Sequence, residues 1–116
     1  MERAVEELVS SLGLQARRQV KVGRRLWGSV RHIDVVATDP NSRKSLGLEC
    51  KFQGGGGSAE EKLPGLVHDI EAWPIPGLVV FEGPGFSDNM RIYLYSTGKA
   101  VAFDELEDWL RLFFAL

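Results

Sequence analysis

The sequence has few of the residues that build disulfides, zinc sites and membrane helices. Its single cysteine, Cys50, excludes an internal disulfide and a zinc site made of several cysteines. The two histidines, His32 and His68, form neither an HxH nor an HExxH spacing. No apolar run approaches the ~20 residues of a membrane-spanning helix, and the charged first residues MERAVEELVSS do not resemble a signal peptide. We therefore expect a cytoplasmic protein that binds neither a membrane nor a small-molecule cofactor.

The length and the charge distribution suggest a single domain with a local basic surface. The 116 residues suit one domain, predicted to span residues 1–116. The net charge of −2 argues mildly against a nucleic-acid partner. However, the segment RRQVKVGRRLWGSVRH (residues 17–32) carries six arginines and lysines and no acid. Such a segment is compatible with a surface that faces phosphates, and equally with a solvated hairpin.

Hydrophobic periodicity predicts a mixed α/β fold with a central sheet. An apolar stripe at spacings of three and four predicts the first helix, and runs rich in β-branched residues bounded by turn formers predict the strands. The predicted elements are helix 2–12, strands 16–23, 32–38 and 45–53, helix 59–72, strands 77–83 and 90–97, and a closing helix opened by an Asp104 cap. The predicted order is therefore α-β-β-β-α-β-β-α.

Alternation within the second and third strands would bring acids and an amine together. Side chains two residues apart in a strand share a face, so Glu49, Lys51 and Gln53 should point one way and Cys50 and Phe52 into a core. By the same rule, His32 and Asp34 should share one face, with Ile33 and Val35 on the other. If the two strands are neighbours, Asp34 can face Glu49 and Lys51.

Two carboxylates and an amine at one end of a sheet have a use in phosphoryl chemistry. Carboxylate oxygens bind Mg²⁺, which lowers the pKa of a bound water and stabilises charge on an attacked phosphate. Lys51 could orient or deprotonate that water. An ordinary cross-strand ion pair on an exposed face, worth less than about 1 kcal/mol, is the alternative explanation.

The spacing of these residues resembles the core of the PD-(D/E)XK nuclease superfamily. HIDVV followed by LECKFQ corresponds to its Asp and ExK elements, and Gln53 to the ExKxQ extension of many members. ERAVEELVSSLG resembles the first helix of resolvase-like members, and GGSAEEKLP resembles a loop and helix start of small phage-type members. Ile33 departs from the pattern, because it stands where the superfamily name has proline.

The resemblance implies a restriction-endonuclease-like αβββαβ core, with a central mixed sheet flanked by helices, and a set of site residues. Asp34 and Glu49 would be metal ligands together with the Cys50 main-chain carbonyl. Lys51 would be the catalytic amine, and Gln53 would orient the site or contact the phosphate backbone. The implied cofactor is Mg²⁺, with Mn²⁺ able to substitute, and the implied setting is a prokaryotic or phage-infected cell.

The first helix is expected to add a carboxylate, for which the residues leave two candidates. Glu2 and Glu6 both flank its apolar stripe, while Glu7 points away from it. The resemblance to the resolvase-like helix selects Glu2, from ER before the apolar pattern.

The leading functional hypothesis is a Mg²⁺-dependent DNA endonuclease. A Holliday-junction resolvase is the narrower alternative, and a catalytically silent DNA-binding or assembly module is the non-enzymatic one. The predicted DNA contacts are Arg24, Arg25, Arg31, His32 and Lys62. The four glycines, residues 54–57, lack the Lys-Ser/Thr of a phosphate-cradling loop and predict a hinge. Three tryptophans (Trp27, Trp73 and Trp109) are predicted core or interface anchors, and the apolar ending WLRLFFAL favours a homodimer.

Overall fold

A computed structural model describes residues 1–24, 30–54 and 63–116, apart from the side chains at positions 24, 30 and 63. Its elements follow in this order: α1 (Glu2–Ser11), β1 (Gln15–Arg24), β2 (Val30–Thr38), β3 (Ser45–Phe52), α2 (Leu63–Ile70), β4 (Gly77–Glu82), α3 (Asp88–Ser96), β5 (Ala100–Ala102) and α4 (Leu106–Phe114). Among the described helices, none is long and apolar enough to cross a membrane.

The described strands form one mixed sheet in the order β1-β2-β3-β4-β5. The first three pair antiparallel, whereas β3–β4 and β4–β5 are parallel. Parallel neighbours need a crossover connection, and α2 and α3 lie in the two connections. The order α1-β1-β2-β3-α2-β4 is the predicted αβββαβ order. The predicted fold class, a mixed sheet flanked by helices, is therefore confirmed.

Each face of the sheet is covered by two helices and has its own apolar core. One face, here called the α1/α4 face, buries Val5 and Val9 of α1 with Leu106 and Leu110 of α4. The other, the α2/α3 face, buries side chains from α2, α3 and their flanking loops, among them Val67, Ile70, Trp73, Phe86 and Leu94. Both faces of the central strands are covered, which accounts for the continuous apolar run of β4.

Trp73 packs on the α2/α3 face where two glycines oppose each other. Gly47 of β3 and Gly77 of β4 are partners in the parallel ladder. A Cβ at Gly47 would lie 2.7 Å from the Trp73 ring, and one at Gly77 would lie 2.8 Å from it. Both positions therefore need glycine, because the indole occupies the space of a side chain. The prediction that Trp73 is a core anchor is confirmed, and Trp109, which stacks on Phe113, packs against the other core.

The second half of the chain contains the errors in the type of element assigned from the sequence. A strand was predicted over residues 90–97, but residues 90–96 belong to α3, which begins where the Ser87 hydroxyl accepts the Met90 N–H at 3.2 Å. This cap and the need for a crossover between β4 and β5 outweigh the β-propensity of Ile92 and its tyrosine neighbours. Asp104 does not cap the closing helix, because it lies within a 3-10 turn, Phe103–Glu105, that precedes α4. The three-residue strand β5 was not predicted.

The alternation predicted for β2 is also wrong at its centre. Ile33 lies on the α2/α3 face with Val20 of β1, whereas Val35 lies on the α1/α4 face. The inversion falls at the step between the pairs Arg18↔Val35 and Val20↔Ile33, which contains Asp34 and, opposite it, Gln19. Gln19 has a positive φ of 52°, a left-handed conformation that rotates the strand. A sequence pattern of period two cannot anticipate such a rotation.

Candidate active site

The candidate site lies where β2 and β3 stop pairing. Their antiparallel ladder ends at the pair Val35↔Leu48, one residue before Asp34 on β2 and Glu49 on β3. Beyond this point, the Cys50 N–H donates to Oδ2 of Asp34 at 2.8 Å instead of to a strand carbonyl. The Asp34 carboxylate therefore occupies the gap between the strands, beside the peptide that follows Glu49. Two of the predicted site residues, Asp34 and Cys50, are thus in direct contact.

Gln19 links this aspartate to the first helix. Its Nε2 donates to Oε1 of Glu2 at 2.8 Å and to Oδ1 of Asp34 at 3.3 Å. One amide group therefore donates to two carboxylates, which reduces the repulsion that would otherwise separate them. Sequence reasoning missed Gln19, since a polar residue in a basic strand carries no signal. Only its left-handed backbone, which costs of order 1–3 kcal/mol in a non-glycine residue, sets it apart.

Of the two helix α1 candidates, Glu2 is the one joined to Asp34. It accepts from Gln19 and forms an ion pair with Arg18 at 3.6 Å. Glu6 is half-buried and has no hydrogen bond or ion pair within the described part of the chain. The geometry therefore favours Glu2, as the resemblance did.

Glu49 and Lys51 belong to the half of β3 that has lost β2 as a neighbour. Both are half-buried, and alternation from Gly47 places them on the α2/α3 face. β4 remains as their neighbour, with Glu49 paired with Val79 and Lys51 paired with Phe81. The ammonium of Lys51 has no ion pair or hydrogen bond among the residues that the structure describes.

The pKa of the Cys50 thiol reflects its burial and the negative charge of the site. Burial and then the neighbouring carboxylates raise its pKa to about 12. In order of effect, those carboxylates belong to Asp34, Glu2 and Glu49. All three acids therefore act on one point of β3. A thiol that stays protonated is a poor nucleophile.

The donor set fits a hard divalent cation with few protein ligands. Within residues 1–24, 30–54 and 63–116, no three His, Cys, Asp or Glu side chains are arranged to hold a metal ion. Mg²⁺ needs no such cluster, because it keeps several waters and takes one or two carboxylates. Asp34 and Glu49 would supply those carboxylates, and the carbonyl of Cys50, the residue between Glu49 and Lys51, would supply a main-chain oxygen. The Asp34 oxygens each accept one hydrogen bond and keep capacity for a cation.

Gln53 is turned inward and holds a loop. Only 6% of the residue is exposed. Its Nε2 donates to the Gly85 carbonyl at 3.1 Å, and its own carbonyl accepts the Gly85 N–H at 2.9 Å. A Cβ at Gly83 would collide with the Gln53 carbonyl, so the loop needs glycine there. This placement favours an orienting role for Gln53 over contact with a phosphate. Phe52, predicted to enter a core, is instead 58% exposed.

Of the predicted DNA contacts, two side chains lie within the described residues. Arg31 is mostly buried and forms an ion pair with Asp69 of α2 at 3.6 Å. Its Nε is buried without a described partner. His32 is half-buried and lies opposite Lys21 in the ladder. Arg31 therefore ties the sheet to α2, and the exposed cations of this region are others: Arg17, Arg18 and Lys21 on the edge strand β1.

Several predictions fall outside the described residues. They concern Arg25, Lys62 and the side chain of Arg24 as DNA contacts, three of the four glycines, Trp27, and the first residues of the second predicted helix. These remain predictions from the sequence.

Comparison with known proteins gives one family and one solved fold. A family model of the PD-(D/E)XK nuclease superfamily domain matches residues 1–107. The chain is also similar to a crystal structure described as a protein of unknown function, AF1548, with a TM-score of 0.60 and 20% identity. The match covers 88% of this chain and 56% of that one, so this chain spans little more than half of its length. At this identity the likeness concerns the fold alone. No curated protein matches the sequence.

Proposed function

The chain belongs to the PD-(D/E)XK nuclease superfamily, and from this premise we propose that it is a Mg²⁺-dependent deoxyribonuclease that cuts phosphodiester bonds within a strand. The observation that carries the proposal is the 2.8 Å hydrogen bond from Cys50 N–H to Asp34, which places that carboxylate beside the Glu49–Lys51 segment. An ordinary surface ion pair would not need the pairing of β2 with β3 to end at this point.

The carboxylates would hold the cation. Asp34, Glu49 and the Cys50 carbonyl are the proposed ligands, and Glu2 adds negative charge through its link to Gln19. When bound, Mg²⁺ supplies charge neutralisation at the phosphate and a more acidic water. Without it, the acids would repel a DNA backbone, so the same residues that would bind the cation disfavour metal-free DNA binding at the site.

Lys51 would act on the reacting phosphate or on the attacking water. Its ammonium lies two residues beyond Glu49 on the same face and has no described partner. In that position it can orient the water, accept its proton after losing its own, or neutralise charge in the transition state. Gln53 would keep the end of β3 in place through its bonds to the loop of Gly85.

A DNA backbone would approach across the basic part of β1 and the segment that follows it. Arg17, Arg18 and Lys21 are exposed on this edge strand. We retain Arg24, Arg25, His32 and Lys62 as proposed DNA contacts. Arg31 is a weaker candidate because its side chain is mostly buried and pairs with Asp69.

We also propose that the chain forms a homodimer through α4. Leu112 on α4 is 84% exposed, while Leu110 and Phe114 of the same helix are buried. Leu116, at the end of the chain, is 49% exposed as well, and exposed apolar surface made by several side chains would fit association through α4. Sedimentation velocity of wild type and Leu112→Glu would test this, because a dimer held through α4 should dissociate in the variant. An unchanged sedimentation coefficient would contradict it.

Cleavage of covalently closed plasmid tests the proposed activity. We expect nicking with Mg²⁺ or Mn²⁺, none after chelation, and a loss of about 10²–10⁴-fold in Lys51→Ala. The matched control for Lys51→Ala is Lys99→Ala, and the matched control for Glu49→Gln is Glu71→Gln. Both control positions are exposed and distant in sequence from the site. Full activity in folded Lys51→Ala or Glu49→Gln protein would refute the assignment.

A closed circle has no ends, so nicking separates endonuclease from exonuclease action. Cleavage confined to linear DNA would contradict the endonuclease part alone. Salt-sensitive DNA binding without cleavage in any divalent cation would instead favour the silent binding module.

A further inference from the structure

A pocket opens beside the candidate site, at the carboxyl ends of the parallel strands β4 and β5. Its volume is about 260 Å³, and Phe81, Glu82, Pro84, Arg91, Phe103 and Asp104 are among its lining residues. The parallel ladder pairs Lys51 with Phe81 and Phe52 with Glu82. The pocket therefore begins one strand away from Lys51, a spacing of about 4.8 Å between strand backbones. Carboxyl ends of parallel strands are a common place for ligands in α/β folds.

The loop that forms one wall is fixed to the end of β3. Gln53 donates its backbone N–H to the Glu82 carbonyl at 3.0 Å and its side-chain amide to the Gly85 carbonyl at 3.1 Å. Gly83 has a φ of +114° and lies against the Gln53 carbonyl. The wall of the pocket is therefore joined by hydrogen bonds to the end of the strand that carries Glu49 and Lys51.

Arg91 is held in a fixed orientation within this pocket. Its Nη2 donates to the Gly83 carbonyl at 2.9 Å, and its guanidinium lies 5.6 Å from the centroid of the Phe81 ring and 6.0 Å from that of Phe86. One N–H is used in this bond, and none of the guanidinium nitrogens is among the buried atoms without a partner. The remaining donors are therefore accessible to a ligand.

Two carboxylates share the pocket with Arg91 without neutralising it. Among the described residues, neither Glu82 nor Asp104 forms a side-chain hydrogen bond or an ion pair, and Arg91 forms no ion pair. A phosphate would meet two acids, and a cation would meet a guanidinium, so neither is well matched. Together, the guanidinium donors and the carboxylate acceptors match a neutral group that both accepts and donates hydrogen bonds.

We propose that this pocket binds one unpaired nucleobase of the DNA substrate, with Arg91 donating to ring acceptors and Asp104 or Glu82 accepting from an exocyclic amino group. This inference rests on the proposed function, because it makes the pocket part of a DNA-binding surface. Arginine and carboxylate side chains read base edges in this way, and Pro84 and Phe103 offer apolar surface to the base. Pockets for drug-sized ligands start at about 300 Å³, so this smaller one suits a single ring system.

The proposal predicts a preference for DNA in which a base near the cut is already unpaired. Extracting a base from a duplex costs a few kcal/mol, which a mismatch, a bulge or a single strand avoids. Thymine has no exocyclic amino group and should bind more weakly than cytosine or guanine.

Titration with neutral deoxynucleosides, without metal and without phosphate, tests the pocket apart from catalysis. We expect deoxycytidine or deoxyguanosine to shift the backbone amide resonances of Gly83, Gly85 and Phe103, and thymidine to shift them less. Arg91→Ala and the double variant Glu82→Ala/Asp104→Ala should each weaken binding about tenfold. Arg111→Ala, which removes an exposed guanidinium paired with Glu107 on α4, is the matched control and should bind as the wild type does.

Arg91→Ala removes a side chain that packs on two rings, so the double variant Glu82→Ala/Asp104→Ala, at two exposed positions, keeps the test valid if Arg91→Ala unfolds. In cleavage assays, this double variant should lower the ratio of bulged to uninterrupted duplex cutting about tenfold. Absent or scattered shifts, or an unchanged ratio, would overturn the pocket and leave the nuclease proposal intact. Nucleoside binding at the pocket in a chain that cuts no DNA would instead overturn the nuclease proposal.

Discussion

The two halves of β3 differ in what lies beside them. Residues 45–48 are paired with β2 on one side, and Gly47 and Leu48 also pair with β4 on the other. Residues 49–52 retain β4 alone, and the place of β2 is taken by the carboxylate of Asp34. The first half is consequently a closed, apolar piece of core, with Leu46 and Leu48 fully buried. The second half has a backbone N–H turned to an acid, and three carboxylates near one thiol.

The difference shows how a short strand can provide both stability and a reactive site. Ending the ladder on one side exposes polar backbone groups that would be satisfied in a regular sheet. Here a carboxylate satisfies one of them and is fixed in position by doing so. Substitutions in residues 45–48 should therefore mainly change the free energy of unfolding. Substitutions around residues 49–52 should mainly change catalysis.

Among the tests that compare the two halves of β3, the largest effect is expected on activity, in Asp34→Asn. The amide oxygen can still accept the Cys50 N–H, so folding should be retained, but the charge that would bind the cation is lost. We expect DNA cleavage to fall about 100-fold or more, from an effect of several kcal/mol. Initial rates of plasmid nicking measure it, with Asp108→Asn on the exposed surface of α4 as control. Equal losses of activity in Asp34→Asn and Asp108→Asn would contradict the distinction between the two halves of β3.

The next effect concerns the reactivity of Cys50. A pKa raised from 9.0 to about 12 leaves little thiolate near pH 8, and the thiolate is the reactive form. Alkylation of the folded protein should therefore be slow at pH 8 and accelerate as the pH rises towards 12. The rate in denaturant is the reference, because unfolding removes both the burial and the nearby acids. Equal rates in the folded and unfolded states would contradict the charged environment assigned to residues 49–52.

Gly47→Ala tests the closed half. The added methyl group would lie 2.7 Å from the Trp73 ring, so the core must shift. We expect a loss of about 1–3 kcal/mol in the free energy of unfolding, typical of overpacking. Gly65→Ala in α2, where a Cβ meets nothing within 4 Å, is the control and should gain about 0.5–1 kcal/mol. Urea denaturation measures both, and a neutral Gly47→Ala would contradict the packing described for Trp73.

The smallest expected effect separates the amide of Gln19 from its backbone strain. Gln19→Ala removes the donor shared by Glu2 and Asp34, and we expect cleavage to fall about tenfold, the lower range for losing a partner of a ligand. Gln19→Gly removes the same donor, but glycine adopts a positive φ without strain. It should therefore lose as much activity as Gln19→Ala and have a larger free energy of unfolding than that variant. Gln15→Ala, on the same strand with an exposed side chain, serves as control. Wild-type activity in Gln19→Gly would show that the bridge is not needed.

Much of the fold follows from the sequence because it depends on local patterns. The stripe of Val5 and Val9 predicts α1, and β-branched runs predict β2 and β4. The strand predicted over 90–97 failed because its helix depends on the Ser87 cap and on a crossover that joins parallel strands. Those are tertiary requirements, which outweigh the preferences of single residues.

The candidate site was predictable only in part. The spacing of Asp34, Glu49 and Lys51 is present in the sequence and resembles a family pattern, but the hydrogen bond from the Cys50 N–H to Asp34 was not predicted. The strand rotation at Gln19, the inward turn of Gln53 and the exposure of Phe52 depend on where β2 leaves β3. No periodicity marks that point, because the residues on both sides still read as strand.

Binding of Mn²⁺ tests the central claim most directly, since it needs no DNA and no turnover. Electron paramagnetic resonance on titrated protein should reveal a bound ion in the wild type, with affinity lost in both Asp34→Asn and Glu49→Gln and retained in Glu71→Gln. Equal Mn²⁺ affinity in all four proteins would contradict a cation site shared by the end of β2 and the second half of β3.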